Sequence, residues 1–230
     1  KKMNDVKIPI TIEARLTLEN IVLHYRIIAD IHQGLPFDES GLKQISRRSV
    51  DEGYRTVVDM AIVEAAKGNI DNAFALMENR GNPSSIPRDE RDASEERLAD
   101  TVISEALKRG QFGQVQKYIK DGFTVRDRKT FWKKIELYHD CVMAMAQAGQ
   151  SGDKLLVELR EYGDHNGPPQ ESSDYFWNGK INAEVLLEKG ELDKAEKILR
   201  PYNKGDDRDK LLYRLAVLYL EQEQPEKARS

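Results

Sequence analysis

Five stretches of this chain carry the same punctuation. K-G-E-L-D-K-A at 189–195 has close copies in K-G-N-I-D-N-A at 67–73 and R-G-Q-F-G-Q-V at 109–115, and weaker ones in A-G-Q-S-G-D-K at 148–154 and Q-E-Q-P-E-K-A at 222–228. Each follows a long apolar-periodic segment and precedes a shorter one. Helix, tight turn, helix at a near-constant period describes units that bury their apolar faces only against their neighbours. The pattern implies an all-α chain built from helix pairs.

The turn glycine serves as a ruler. It falls at Gly34, Gly68, Gly110, Gly149 and Gly190, with Glu223 in the equivalent place, giving spacings of 34, 42, 39, 41 and 33. The middle excess is placed in two Pro/Gly/Asn-rich stretches, 81–88 and 164–170, read as loops between repeats. Apolar spacing predicts helices over 11–33 and 38–48, then 51–67 with 70–79, 93–109 with 112–121, and 127–147 with 153–162. The series continues with 173–189 and 191–202, then 207–222 and a cut-off 225–230. Asp38 is placed to cap the second helix and Pro225 to open the last. No Val/Ile/Thr-rich alternating stretch calls for a sheet.

Composition narrows the class. Of 230 residues 39% are hydrophobic, too many for general disorder. Charged residues make up 33%, above the roughly 25% usual for globular domains, as an elongated stack requires. A net charge of −4 argues against a non-specific nucleic-acid binder, which needs a basic face. The single cysteine, Cys141, lies on an apolar helix stripe and reads as a buried small hydrophobe. This fits a reducing compartment and points first to the cytoplasm; a disulfide-free periplasmic protein reads the same. The longest apolar run, 215–220, falls far short of the about 20 residues of a membrane span. The chain starts Lys1-Lys2-Met3 and stops at Ser230 one turn into an expected helix, so it reads as a fragment of a longer protein.

With these residues in place the chain resembles the tetratricopeptide-repeat (TPR) family. The last unit supplies Leu212, Leu215, Ala216, Tyr219 and Ala228 at the motif's places. The unit around Gly190 supplies Ala183, Leu186, Ala195, Leu199 and Tyr202, and that around Gly68 supplies Met60, Ala61, Ala73 and Met77. Small residues in both helices of a pair let the backbones cross closely. Two units depart from the pattern: Glu39 stands where a small residue belongs, and so does Lys154 unless Leu155 takes its place by a one-residue slip. The resemblance implies one domain over 1–230, a right-handed superhelix of about six antiparallel helix pairs, a TPR-like α-solenoid with the last pair truncated.

The resemblance also implies where a partner binds, because the first helix of each TPR pair lines the concave groove. Carried onto this sequence, the lining is Ile21, His24, Ile28 and His32, then Arg55, Val58 and Ile62, then Arg97, Asp100, Ser104 and Lys108. His139, Met143 and Gln147 follow, then Trp177, Lys180 and Glu184, then Lys210, Tyr213 and Val217. The row mixes charged and apolar members, which suits a peptide or amphipathic helix better than a polyanion. The Lys/Asn carboxylate clamp of chaperone-binding relatives is not reproduced. Its positions hold His24/Ile28, Val58/Ile62, Asp100/Ser104, His139/Met143, Lys180/Glu184 and Tyr213/Val217.

Catalytic signatures are missing. His24 and His32 have no acid at ligand spacing, and no second cysteine exists for a thiolate site. Consecutive side chains fan out around a helix, so His139, Asp140 and Cys141 do not converge. No phosphate-binding glycine loop occurs. The expectation is therefore a non-enzymatic scaffold or adaptor, without cofactor or metal, that binds a protein or peptide in an assembly such as a secretion or export complex. The alternative is a pentatricopeptide-like RNA-binding solenoid, to which the basic-aromatic cluster Phe123, Arg126, Arg128, Lys129, Phe131, Trp132, Lys133 and Lys134 would contribute. The plainer reading of that cluster is a helix start with rings packed inward and charges solvated.

Overall fold

A computed structural model describes residues 11–81, 83, 85–123, 125, 128–166, 179–201 and 206–228. Among these residues every regular element is helical and none is a strand. The chain divides into two compact units, Lys1–Ala106 and Leu107–Ser230.

The first unit contains α1 (Ile12–Gln33), α2 (Glu39–Arg48), α3 (Val50–Lys67) and α4 (Ile70–Glu78), and most of α5 (Arg88–Lys108). Side-chain caps start three of them. Thr11, Asp38 and Ser49 each accept a backbone N–H from three residues on, at Ala14 (3.2 Å), Gly41 (3.0 Å) and Glu52 (3.2 Å). Helix α3 packs on α1, α2 and α4. Ile27, Ile31, Ile45, Met60 and Val63 form the core where these meet.

The second unit contains α6 (Phe112–Lys117), which widens into a π-turn at Tyr118–Gly122, then α7 (Arg128–Gln147) and α8 (Asp153–Asn166). After these come α9 (Asn182–Glu188), α10 (Leu192–Leu199), α11 (Asp206–Glu221) and α12 (Pro225–Ala228). Its principal contacts run between helices one or two apart: α7 with α8 and α9, α9 with α10 and α11, α11 with α12. Ala183 and Ala195, both fully buried, sit in one cluster with Leu187, Leu192, Leu199, Leu211, Leu215 and Tyr219.

The recurring punctuation is a recurring hydrogen-bond motif. At Gly34, Gly68, Gly149, Gly190 and Glu223 the backbone turns left-handed. In each case that residue's N–H donates to the carbonyl three residues back, and the next residue's N–H donates to the carbonyl five residues back, as in Leu35 to Asp30 (2.9 Å) and Glu191 to Leu186 (2.8 Å). These are Schellman caps, which satisfy the orphan carbonyls at a helix end and reverse the chain. Gly110 is left-handed too and donates to Leu107. The following helix then opens on a buried residue, as with Ile70, Phe112 and Leu192.

Both departures from the repeat resolve locally. Leu155 is buried and Lys154 exposed, the burial that a one-residue slip calls for. Glu39 is exposed because α2 begins later after its turn than the other second helices do. The buried small residue there is Gly41, where an added Cβ would lie 3.4 Å from Leu23. Three boundaries differ from expectation: α5 starts at Arg88, five residues early, α8 runs on to Asn166 through the start of the expected 164–170 loop, and α10 ends at Leu199, three residues short. The rest of that loop, with Trp177, Arg126 and Tyr202, lies outside the described residues.

Candidate partner-binding face

In the first unit one polar stripe of α3 faces two neighbours. Glu52, Arg55, Thr56 and Asp59 stand at i, i+3, i+4 and i+7, so they share a side of the helix. Toward α1, Asn20 Nδ2 donates to Glu52 Oε2, and Asn20 Oδ1 accepts from Arg48 (3.3 Å). The Thr56 hydroxyl donates its one proton to the Glu52 carbonyl (2.8 Å), so toward His24 Nδ1 (3.0 Å) it accepts. The other ring nitrogen, Nε2, lies 3.6 Å from Asp59 Oδ2. Toward α5, Arg55 donates twice to Glu90 Oε1 (2.6 and 3.1 Å) and Arg97 donates to Asp59 Oδ1 (2.6 Å).

Two clefts flank this stripe. One of about 390 Å³ lies between α1 and α3, with Ile21 and Tyr25 as walls and Ile45 at its base. One of about 320 Å³ lies between α3 and α5 and is lined by Val58, Glu90, Ser94 and Arg97 among others. Arg55 and Asp59 belong to both. The structure thus brings together Ile21, His24, Arg55, Val58 and Arg97 from the expected lining. Asp100, Ser104 and Lys108 continue exposed along α5, and His32 is exposed on α1. Ile28 turns partly into the core. Asn20, Glu52, Thr56, Asp59 and Glu90 were not among the expected lining residues. For Glu52, Thr56 and Asp59 the signal was the spacing of polar groups around Arg55, which a list built from motif positions passes over; Asn20 and Glu90 carried no such signal.

In the second unit His139 Nε2 on α7 lies 2.6 Å from Glu184 Oε2 on α9, and Nδ1 lies 3.3 Å from Asp140 Oδ1. Burial works against a charged ring. The hydrogen bonds and attraction of the two carboxylates outweigh it and raise the His139 pKa to about 9. Lys180 pairs with Asp207 (3.2 Å), and Lys210 stands 4.0 Å from the same carboxylate. Met143 is half-buried, Gln147 exposed and Val217 half-buried, while Tyr213 is fully presented to solvent.

The basic-aromatic cluster packs mostly inward. Phe131 is buried and stacks on Tyr162 (5.6 Å between centroids), with Trp132 edge-on to it. Lys133 pairs with Glu136. Lys134 departs from the expected solvated charge: it is buried, its Nζ lies 5.0 Å from the centre of the Tyr162 ring, and burial lowers its pKa. Cys141 is fully buried, and burial holds its thiol up at about 12.

Among the described residues no group of three or more His, Cys, Asp or Glu side chains is placed to hold a metal ion, and no helix is long and apolar enough to cross a membrane. Comparison with family models, curated proteins and solved structures finds no match.

Proposed function

We propose that this chain is a non-enzymatic interaction module, a TPR-like right-handed α-solenoid whose first helices hold a peptide or protein partner. One observation carries the reading. In the first unit, three successive first helices, α1, α3 and α5, turn polar and apolar side chains toward two adjoining clefts that share Arg55 and Asp59. Clefts in series along one face suit an extended or helical segment that makes many modest contacts. The second unit repeats the helix-pair punctuation and offers Tyr213, Lys180 and Glu184 on corresponding helices. The assembly that holds the partner would be a multi-protein one, such as a secretion or export complex.

Photo-crosslinkable residues at Ile21, Tyr25 or Tyr213 should capture the partner in cells of the source organism. The same probes at Lys43 or Asp71, exposed on the second helices α2 and α4, should not. Capture only from Lys43 and Asp71 would place the interaction on the opposite side and sink the proposal.

A further inference from the structure

We infer that the α1–α3 cleft receives a lysine or arginine side chain carried on an amphipathic helical segment of the partner. This rests on the reading of the face as a partner surface and adds what the partner must present.

The first support is an apolar stripe that points outward. Leu18, Ile21, Val22 and Tyr25 stand at i, i+3, i+4 and i+7 on α1 and are 52%, 43%, 66% and 68% exposed. Helices of soluble proteins ordinarily bury a stripe of this spacing. Here the buried positions of the same helix are Asn20, Ile27 and Ile31, so the outward stripe is additional to the core-facing one. Anchors at this spacing are what a second helix lying alongside would meet. Ile21 and Tyr25 belong both to the stripe and to the cleft wall, so a helix seated on the stripe places a side chain into the cleft.

The second support is charge. Arg55 is drawn away to Glu90, and Arg97 is spent on Asp59. Glu52 has the neutral Asn20 amide as its hydrogen-bond partner and, among the described residues, no cation within 4.0 Å. Asn20 is itself held in orientation by Arg48, whose charge goes to Glu19 (3.0 Å). Two arginines therefore answer three carboxylates on this face, and the surplus negative charge sits half-buried at Glu52. A carboxylate in a partly desolvated cleft attracts an ammonium or guanidinium and repels another carboxylate. The aliphatic stem of Lys or Arg would lie against Ile21 and Ile45, and the Tyr25 ring face adds a cation–π contact at the mouth.

Three synthetic helical peptides test this. Each carries a leucine stripe at i, i+3, i+4 and i+7 and one neighbouring position filled with Lys, norleucine or Glu. The full chain is titrated with each peptide while the Ile21 and Ile45 methyl resonances are followed by NMR. The Lys peptide should shift both methyls and bind at least about tenfold more tightly than the Glu peptide. In Glu52→Gln, which keeps a partner for Asn20, the advantage of Lys over norleucine should vanish while the melt stays near that of the parent. Tyr25→Ser, at an exposed position, should weaken all three peptides. Equal binding of the three to the parent overturns the inference but leaves the partner-binding reading intact if crosslinks from Ile21 and Tyr25 still form. Concentration-dependent sedimentation that protects the Ile21 methyl also overturns it, because the occupant is then a second copy of the chain. No shift at Ile21 or Ile45 with any peptide overturns the docking mode, and absence of crosslinks from Ile21, Tyr25 and Tyr213 as well removes the underlying reading.

Discussion

Glu223 holds a backbone angle that an L-residue other than Asn or Asp seldom adopts, with φ at 58°. It does so because α11 ends in the same Schellman cap as the helices that end at Gly34, Gly68, Gly149 and Gly190, with its N–H donating to Leu220 (3.0 Å) and the next N–H to Tyr219 (2.8 Å). The left-handed conformation costs a side-chain-bearing residue about 1–2 kcal/mol. Glycine removes that cost but loses roughly 0.5–1 kcal/mol through the extra freedom of the unfolded chain. Glu223→Gly should therefore stabilise α11–α12 by about 0.5–1 kcal/mol, read as slower amide exchange at Leu218–Gln224. Faster exchange would mean that the Glu223 side chain contributes a contact beyond the cap. The position was legible in the sequence from register alone, since nothing in Q-E-Q marks a left-handed residue. The reverse held at Lys134: its residue type and charged neighbours suggested solvation, and only the packing of Phe131 and Tyr162 around it decides otherwise.

At the scale of elements, caps and apolar spacing carried most of the fold, and side-chain partnering carried little of the site. The helix starts at Asp38, Ile70 and Phe112 were readable from a capping side chain or a buried residue after the turn, and that at Pro225 from the proline itself. The early start of α5 was not, because the charged segment R-D-E-R-D has no apolar period to betray a helix. The π-turn at Tyr118–Gly122 was not either, since its hydrogen bonding, with Phe123 N–H donating to the Tyr118 carbonyl, leaves no residue signature. Arg55, Arg97, His139 and Glu184 were singled out individually, but the sequence did not tell which carboxylate each cation meets. For His139 that pairing has a consequence. Its pKa of about 9 in the folded chain lies above the 6.5 of a free ring, so the link from α7 to α9 is fully present below about pH 6.5. It is lost as pH rises through 9, and is worth at most about 3 kcal/mol. Thermal melts from pH 6.5 to 9.5 should fall more steeply for the parent than for His139→Gln, and the two curves should converge at the alkaline end. Parallel curves would show that the ring carries no extra proton in the fold.

At the scale of the whole molecule, the helix contacts run mainly between near neighbours along the chain, and the residues group into two compact units. In the proposed solenoid, cooperativity would be carried from one helix pair to the next instead of through one shared core. The repeat period carries that expectation, because a pair that recurs with its own turn and its own small residues brings its own share of core. What the period leaves open is how far a disturbance travels. Ala195 tests it, being fully buried among Leu187, Leu192, Leu199, Leu211 and Leu215. Ala195→Leu adds three carbons where there is no space and should cost about 1–3 kcal/mol by overpacking. Amide exchange in α9 to α11 should then accelerate by roughly ten- to a hundredfold, since each 1.4 kcal/mol is a factor of ten in opening. Amides of α1 to α4, whose core is Ile27, Ile31, Ile45, Met60 and Val63, should exchange as in the parent. Acceleration shared equally by α1–α4 would show a single cooperative body. No acceleration anywhere would mean that the packing around Gly190 accepts a large side chain and that Ala195 does not mark a close helix crossing.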